Sequence, residues 1–280
     1  MRFDFCLSTL QGLSPDSAAP SGDGLYAGLK AAGFGGVQAP SMAGLREAGL
    51  VGTGLALLAR PEDIDAIAAA HADAGFACTT LILGNGLEGD DEAARFCEAV
   101  LEASLRHRYR LLPETHRASM TQDIRRTLDM ISRFPELRFT GDFSHWYTGH
   151  ELAMGDFEAK LDALQPLIDR VEIVEGRIGS TNRAQLTLDG PDDARHFVAH
   201  HRAFWTRCFA AALAAGREPV FAPQLLPAVI HAGGMAWPIG YAPERRAGDG
   251  SWHEEADRWE QSLLLCRIAG QCCTEAAGTA

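Results

Sequence analysis

Short, strand-like apolar runs recur along the chain, and between them lie longer stretches in which apolar side chains return at helical spacing. Eight runs read as strands: Arg2–Leu7, Gly36–Ala39, Gly52–Ala56, Cys78–Leu83, Arg110–Glu114, Arg138–Asp142, Arg170–Val174 and Pro219–Pro223. Such alternation marks βα units around a parallel sheet. The helices carry their own start and stop signals. Pro61-Glu62-Asp63-Ile64 opens one with a proline and two acids, and Ala74-Gly75-Phe76 closes it on a glycine. Asp90-Asp91-Glu92 opens another. Thr121–Arg133 and Phe157–Ile168 each place their apolar residues on one face, and His253–Gly270 predicts the closing helix, with Trp259, Leu263, Leu264 and Ile268 as its buried stripe. The pattern predicts an α/β fold, a single (β/α)8 TIM barrel over residues 1–280.

Two long connections interrupt this order. Gly176–Gly190 follows the seventh strand, and Pro227–Gly250, rich in Gly and Pro, follows the eighth and reads as one long loop over the barrel mouth. Residues 271–280 read as a frayed tail.

Composition narrows the function classes. With 280 residues and 46% hydrophobic content the chain can bury a large core, and a net charge of −12 with no basic run argues against nucleic acid as a main partner. No stretch approaches the roughly 18 apolar residues of a membrane span, and Met1-Arg2-Phe3-Asp4-Phe5 does not open a signal sequence. A cytoplasmic protein with no membrane partner is the expectation. The seven cysteines form no CxxC pair and read as reduced, mostly buried thiols. Gly84-Asn85-Gly86-Leu87-Glu88-Gly89 spells GxGxxG, but the acids that open the next helix would repel a pyrophosphate, so a flexible turn is expected.

The chemistry lies where the late strands stop. Leu111-Leu112-Pro113-Glu114-Thr115-His116 and Phe139-Thr140-Gly141-Asp142-Phe143-Ser144-His145-Trp146 each run from apolar strand to carboxylate to histidine. In a parallel barrel all strands end at one face, so such groups converge. Strands five to eight end on Glu114, Asp142, Glu175 and Gln224. Three carboxylates and an amide form a hard oxygen set for one divalent ion, Mn²⁺ or Mg²⁺ first, with Zn²⁺ or Co²⁺ also within range. The competing reading makes one or two of them helix caps or loop carboxylates. Arg177 is suited to anchor a substrate oxygen or anion, or to pair with Glu175 or Asp142. Trp146 and Trp237 are candidates for a sugar pocket wall, or for core packing. His200-His201 falls in a predicted helix and reads as surface.

From Leu111 to Pro227 the chain resembles the xylose-isomerase-like barrels, which include sugar and sugar-phosphate isomerases, ketose epimerases and, more distantly, endonuclease IV. The resemblance rests on Glu114-Thr115-His116, Asp142-Phe143-Ser144-His145-Trp146 and Arg177-Ile178-Gly179. It implies metal ligands in the order Glu, Asp, His, Glu. Glu114 and Asp142 match, whereas Glu175 stands for the histidine and Gln224 for the last glutamate, which leaves the ligand charge unchanged. The resemblance further implies a metal-dependent isomerase or epimerase that moves a proton beside a carbonyl on a small polyhydroxylated substrate. Glu114 would be the base and Glu175 its substitute, since an amide at Gln224 cannot take a proton. His145 would join the catalytic groups, and His116, Trp146, Arg177 and Trp237 would bind substrate. A lyase or hydrolase, or a repurposed barrel that keeps the pocket and has lost its metal, stands as the alternative. Homo-oligomerisation is left open.

Overall fold

The computed structural model describes residues 1–232 and 234–279. The eight expected strands are present as β1 (Arg2–Cys6), β2 (Gly36–Gln38), β3 (Val51–Leu58), β4 (Cys78–Leu83), β5 (Arg110–Pro113), β6 (Phe139–Gly141), β7 (Val171–Gly176) and β8 (Val220–Pro223). They form one parallel sheet in the order β5-β4-β3-β2-β1-β8-β7-β6. Its two outer strands, β5 and β6, meet through one bridge, Glu114 to Thr140. The ring is thus nearly closed, and it closes where the first candidate ligand stands. Toward the amino ends of these two strands an apolar cavity of about 550 Å³ opens, lined by Val100, Leu105, Tyr109, Leu111, Leu112 and Leu137 among others.

The helices outside the ring are α1 (Leu25–Ala31), α2 (Ile64–Ala74), α3 (Asp90–His107), α4 (Ile124–Arg133), α5 (Phe143–Gly149), α6 (Phe157–Ala163), α7 (Gln165–Ile168), α8 (His196–Ala214) and α9 (Arg258–Thr279). Gly75 ends α2 at φ +88°, a conformation that costs glycine little. Three acids in the first turn of α3, with Arg106 and His107 in its last, complement the helix dipole. The main core lies between strands and helices, where Trp205 of α8 packs edge-on against Phe221 of β8 with ring centroids 4.9 Å apart.

Several expectations are corrected. The helix expected over Phe157–Ile168 is two short ones, α6 and α7, with Pro166 at the start of the second. The long loop after β8 folds into two antiparallel hairpins, β9 (Val229–Ala232) with β10 (Met235–Pro238) and β11 (Glu244–Arg246) with β12 (Trp252–Glu254); Gly233 lies outside the described residues. The closing helix starts at Arg258, because His253 belongs to β12. It runs on through the tail expected to fray, since Cys272 and Ala276 are buried apolar positions on its inner face.

His201 is also corrected, from surface to fully buried. Its Nδ1 lies 2.8 Å from the Phe197 carbonyl, and its Nε2 accepts the Gly179 amide at 3.4 Å. Burial pushes its pKa down to about 4. A depressed histidine contributes no penalty above its unfolded pKa and costs stability as pH falls toward the folded value. Between pH 7 and pH 4 the stability of wild type should therefore fall by about 3 kcal/mol relative to His201→Gln. Paired urea denaturation curves at the two pH values check this, and an unchanged difference would refute it.

Candidate metal centre and active site

Glu114 is placed by backbone pairing on both sides. Its amide donates to the Leu81 carbonyl at 2.9 Å, and the amide of Thr115 donates to Thr140 at 3.1 Å. The chain then turns back through a hydroxyl-laced loop. The Thr121 hydroxyl accepts from the His116 amide at 3.1 Å, and the Ser119 hydroxyl donates to the His116 carbonyl at 2.7 Å. His116 is thus held two residues beyond Glu114.

Asp142 does two jobs, one of which the capping alternative anticipated. Its Oδ1 caps α5, accepting from the Ser144 amide at 2.9 Å and the Ser144 hydroxyl at 2.6 Å. Its Oδ2 accepts from Arg177 Nη2. Because helix begins at once, His145 falls one turn along on the same face, with Nε2 3.4 Å from Asp142 Oδ2 and 3.9 Å from Glu114 Oε1. The next residue, Trp146, is turned into the core, where its indole N–H donates to the Thr121 carbonyl at 2.8 Å. The geometry gives Trp146 packing rather than the expected substrate contact.

Glu175, next to last in β7, lies between two amides. Gln38 Nε2 donates to Oε1 at 2.8 Å and Gln224 Nε2 donates to Oε2 at 2.7 Å, while the Cys6 thiol donates to Gln38 Oε1 at 3.0 Å. Gln224 thus presents its nitrogen to a carboxylate and acts through Glu175. Arg177 donates from Nε to the Ser144 hydroxyl at 3.0 Å, and the face of Tyr241 lies over it, 4.7 Å from Cζ to ring centroid. Arg117 stands 5.1 Å from the same ring. Trp237, on β10, is 51% exposed.

Sequence reasoning missed Gln38, Ser144 and Tyr241. Gln38 carried a usable signal: it is the last residue of β2, and reading the terminal polar residue of every strand, instead of the last four, would have found it.

The electrostatics are unbalanced. Glu114, Asp142 and Glu175 are buried and offer one oxygen each within 4.8 Å of one another, against the buried guanidinium of Arg177 beside them. Burial first, then the charges of Glu175 and Asp142, pushes Glu114 well above the usual carboxylate range. Burial pushes Glu175 up to about 7. Burial acts the same way on Asp142, but Arg177, His145 and Ser144 outweigh it and hold that carboxyl low. Burial pushes His116 down to about 4 and His145 well below its ordinary value, so both are neutral, the form that binds metals. Both oxygens of Glu114, Nδ1 of His116, Nδ1 of His145 and Nη1 of Arg177 are buried without a hydrogen-bond partner. Orphaned polar atoms are rare in folded proteins and point to something that binds there. A divalent ion fits this set in charge and in donor type.

No family model matches the sequence, and no curated protein matches it. Solved structures share its architecture. Endonuclease IV from Thermus thermophilus is 17% identical with a TM-score of 0.53, covering 98% of this chain and 100% of that chain. A xylose isomerase-like TIM barrel protein from Mycobacterium smegmatis, in complex with magnesium, is 11% identical with a TM-score of 0.53, covering 98% and 97%. A sugar phosphate isomerase/epimerase from Parabacteroides distasonis is 10% identical with a TM-score of 0.54, covering 98% and 94%. At these identities the likeness is one of fold, and the chain has the fold of the xylose isomerase-like TIM barrels.

Proposed function

We propose that the protein is a divalent-metal-dependent isomerase or epimerase acting on a small polyhydroxylated, carbonyl-bearing substrate. The observation that carries this is Glu114: a buried carboxylate with neither oxygen engaged, beside two further carboxylates at the carboxyl ends of the strands. The ion is anchored on Glu114, while Asp142 and Glu175 supply the remaining negative charge, so that one divalent cation offsets what Arg177 leaves uncompensated. When bound, the ion polarises the substrate carbonyl and stabilises charge developing on its oxygen. Glu114 has a second oxygen to accept the proton on the neighbouring carbon. Glu175, fixed by its two amides, is the second acid–base group facing the same space. Arg177 orients a substrate oxygen through its free Nη1.

The test is deuterium uptake from D₂O at the carbon beside the carbonyl, followed by NMR across a panel of aldoses and ketoses with chelator-treated protein. The expected result is exchange that appears on adding a divalent ion and is absent from Glu114→Gln. A protein that takes up no divalent ion overturns the reading.

A further inference from the structure

The donors around Glu114 differ in what they already hold. Asp142 has both oxygens engaged, one by Ser144 and one by Arg177. Glu175 has both engaged by Gln38 and Gln224. Drawing either carboxylate onto a cation breaks charge-assisted hydrogen bonds in a buried site and leaves their donors unpaired. The two imidazoles hold less. Nε2 of His145 lies 3.0 Å from Arg177 Nη2, but Nδ1 of each ring is buried and unpartnered, and the rings lie 4.0 Å apart between centroids. One ring nitrogen from each lies within 4.8 Å of the other and of a Glu114 oxygen. Donors on one ion at about 2.1 Å lie at most about 4 Å apart. Small side-chain rotations therefore close the cluster. Asp142, 3.4 Å from His145 Nε2, stands where a carboxylate orients a metal-bound imidazole.

Resting on the metal-dependent reading above, we propose that the ion is held by Glu114, His116 and His145, with the Asp142–Arg177 pair and the amide-clamped Glu175 as a hydrogen-bonded wall behind it. Two imidazoles with one carboxylate select a borderline transition-metal ion such as Zn²⁺ or Co²⁺ over Mg²⁺, which prefers oxygen and water.

The experiment is Co²⁺ titration of the full chain after dialysis against chelator, read by the visible absorption of the bound ion and by calorimetry. One Co²⁺ per chain is expected, bound at least about 100-fold more tightly than Mg²⁺. His116→Ala and His145→Ala should each weaken Co²⁺ by about tenfold or more, and Glu175→Gln by less than either. His116→Gln and His145→Gln keep the side-chain volume and serve where alanine variants fail to fold; the magnesium comparison needs no variant. Two results overturn the imidazole assignment while leaving metal dependence standing: Mg²⁺ binding as tightly as Co²⁺, or Co²⁺ binding lost in Glu175→Gln but insensitive to both histidines. Failure of the wild-type chain to bind Co²⁺, Mn²⁺ or Mg²⁺ removes both this assignment and the reading it rests on.

Discussion

In the metal-free protein, Glu114→Gln is expected to raise the melting temperature by roughly 4 °C, an unusual sign for a substitution in a buried site. The wild-type carboxyl is buried with no hydrogen-bond partner, beside Asp142 and Glu175, and is pushed well above its ordinary range. A neutral amide of the same shape removes that burden. A buried group left unpaired costs on the order of 1–3 kcal/mol and more when charged, so a gain of about 2 kcal/mol is expected, and a chain of this size converts each kcal/mol into roughly 2 °C. With a divalent ion present the order should invert. Wild type gains about 2.7 kcal/mol at an ion concentration one hundred times its dissociation constant, and a variant that cannot bind the ion gains none. Calorimetric scans of both proteins with and without the ion decide the matter. A variant that melts lower than wild type without metal would mean that Glu114 has a stabilising partner after all.

The second large effect is a loss. Arg177→Met should destabilise the protein by about 3–5 kcal/mol, because it leaves Asp142 as a buried charge without its counter-ion. Arg177 and Asp142 are both fully buried, so solvent does not discount the pair. Adding Asp142→Asn should restore a good part of the loss, since the neutral side chain still accepts from Ser144 at the start of α5. Urea denaturation of the two single variants and the double variant gives the coupling. A loss below about 1 kcal/mol would place the pair with exposed ion pairs and contradict its burial.

Both predictions turn on groups that the sequence exposes only in part. The eight strands are legible because most of the apolar runs stop at a turn former or a carboxylate, and parallel strands in one ring must end together. That logic finds Glu114, Asp142 and Glu175, which do converge. It does not show what Asp142 already holds, because nothing in Phe143-Ser144-His145 announces a helix as short as α5. Gln224 reads as a fourth ligand in the place of a glutamate, whereas the fold sets its amide nitrogen against Glu175, with Gln38 on the other oxygen. The pairing of β2, β7 and β8 residues around one carboxylate is a consequence of ring closure, which local pattern does not encode. Tyr241 was hidden for a different reason: its place over Arg177 depends on how the chain after β8 folds into hairpins, and the Gly- and Pro-rich composition of that segment suggested an open loop.

The one bridge between β5 and β6 gives these groups a role in assembly. The sheet is a linear order of eight strands, from β5 round to β6, whose ends touch at Glu114 and Thr140. Glu114 and His116 belong to the β5 end, and His145 to the β6 end. An ion held by those three side chains would staple the ring at its weakest rung. Closing the barrel and loading the site would then be one event, and hydrogen exchange at Thr115, whose amide donates across that rung to Thr140, would report both.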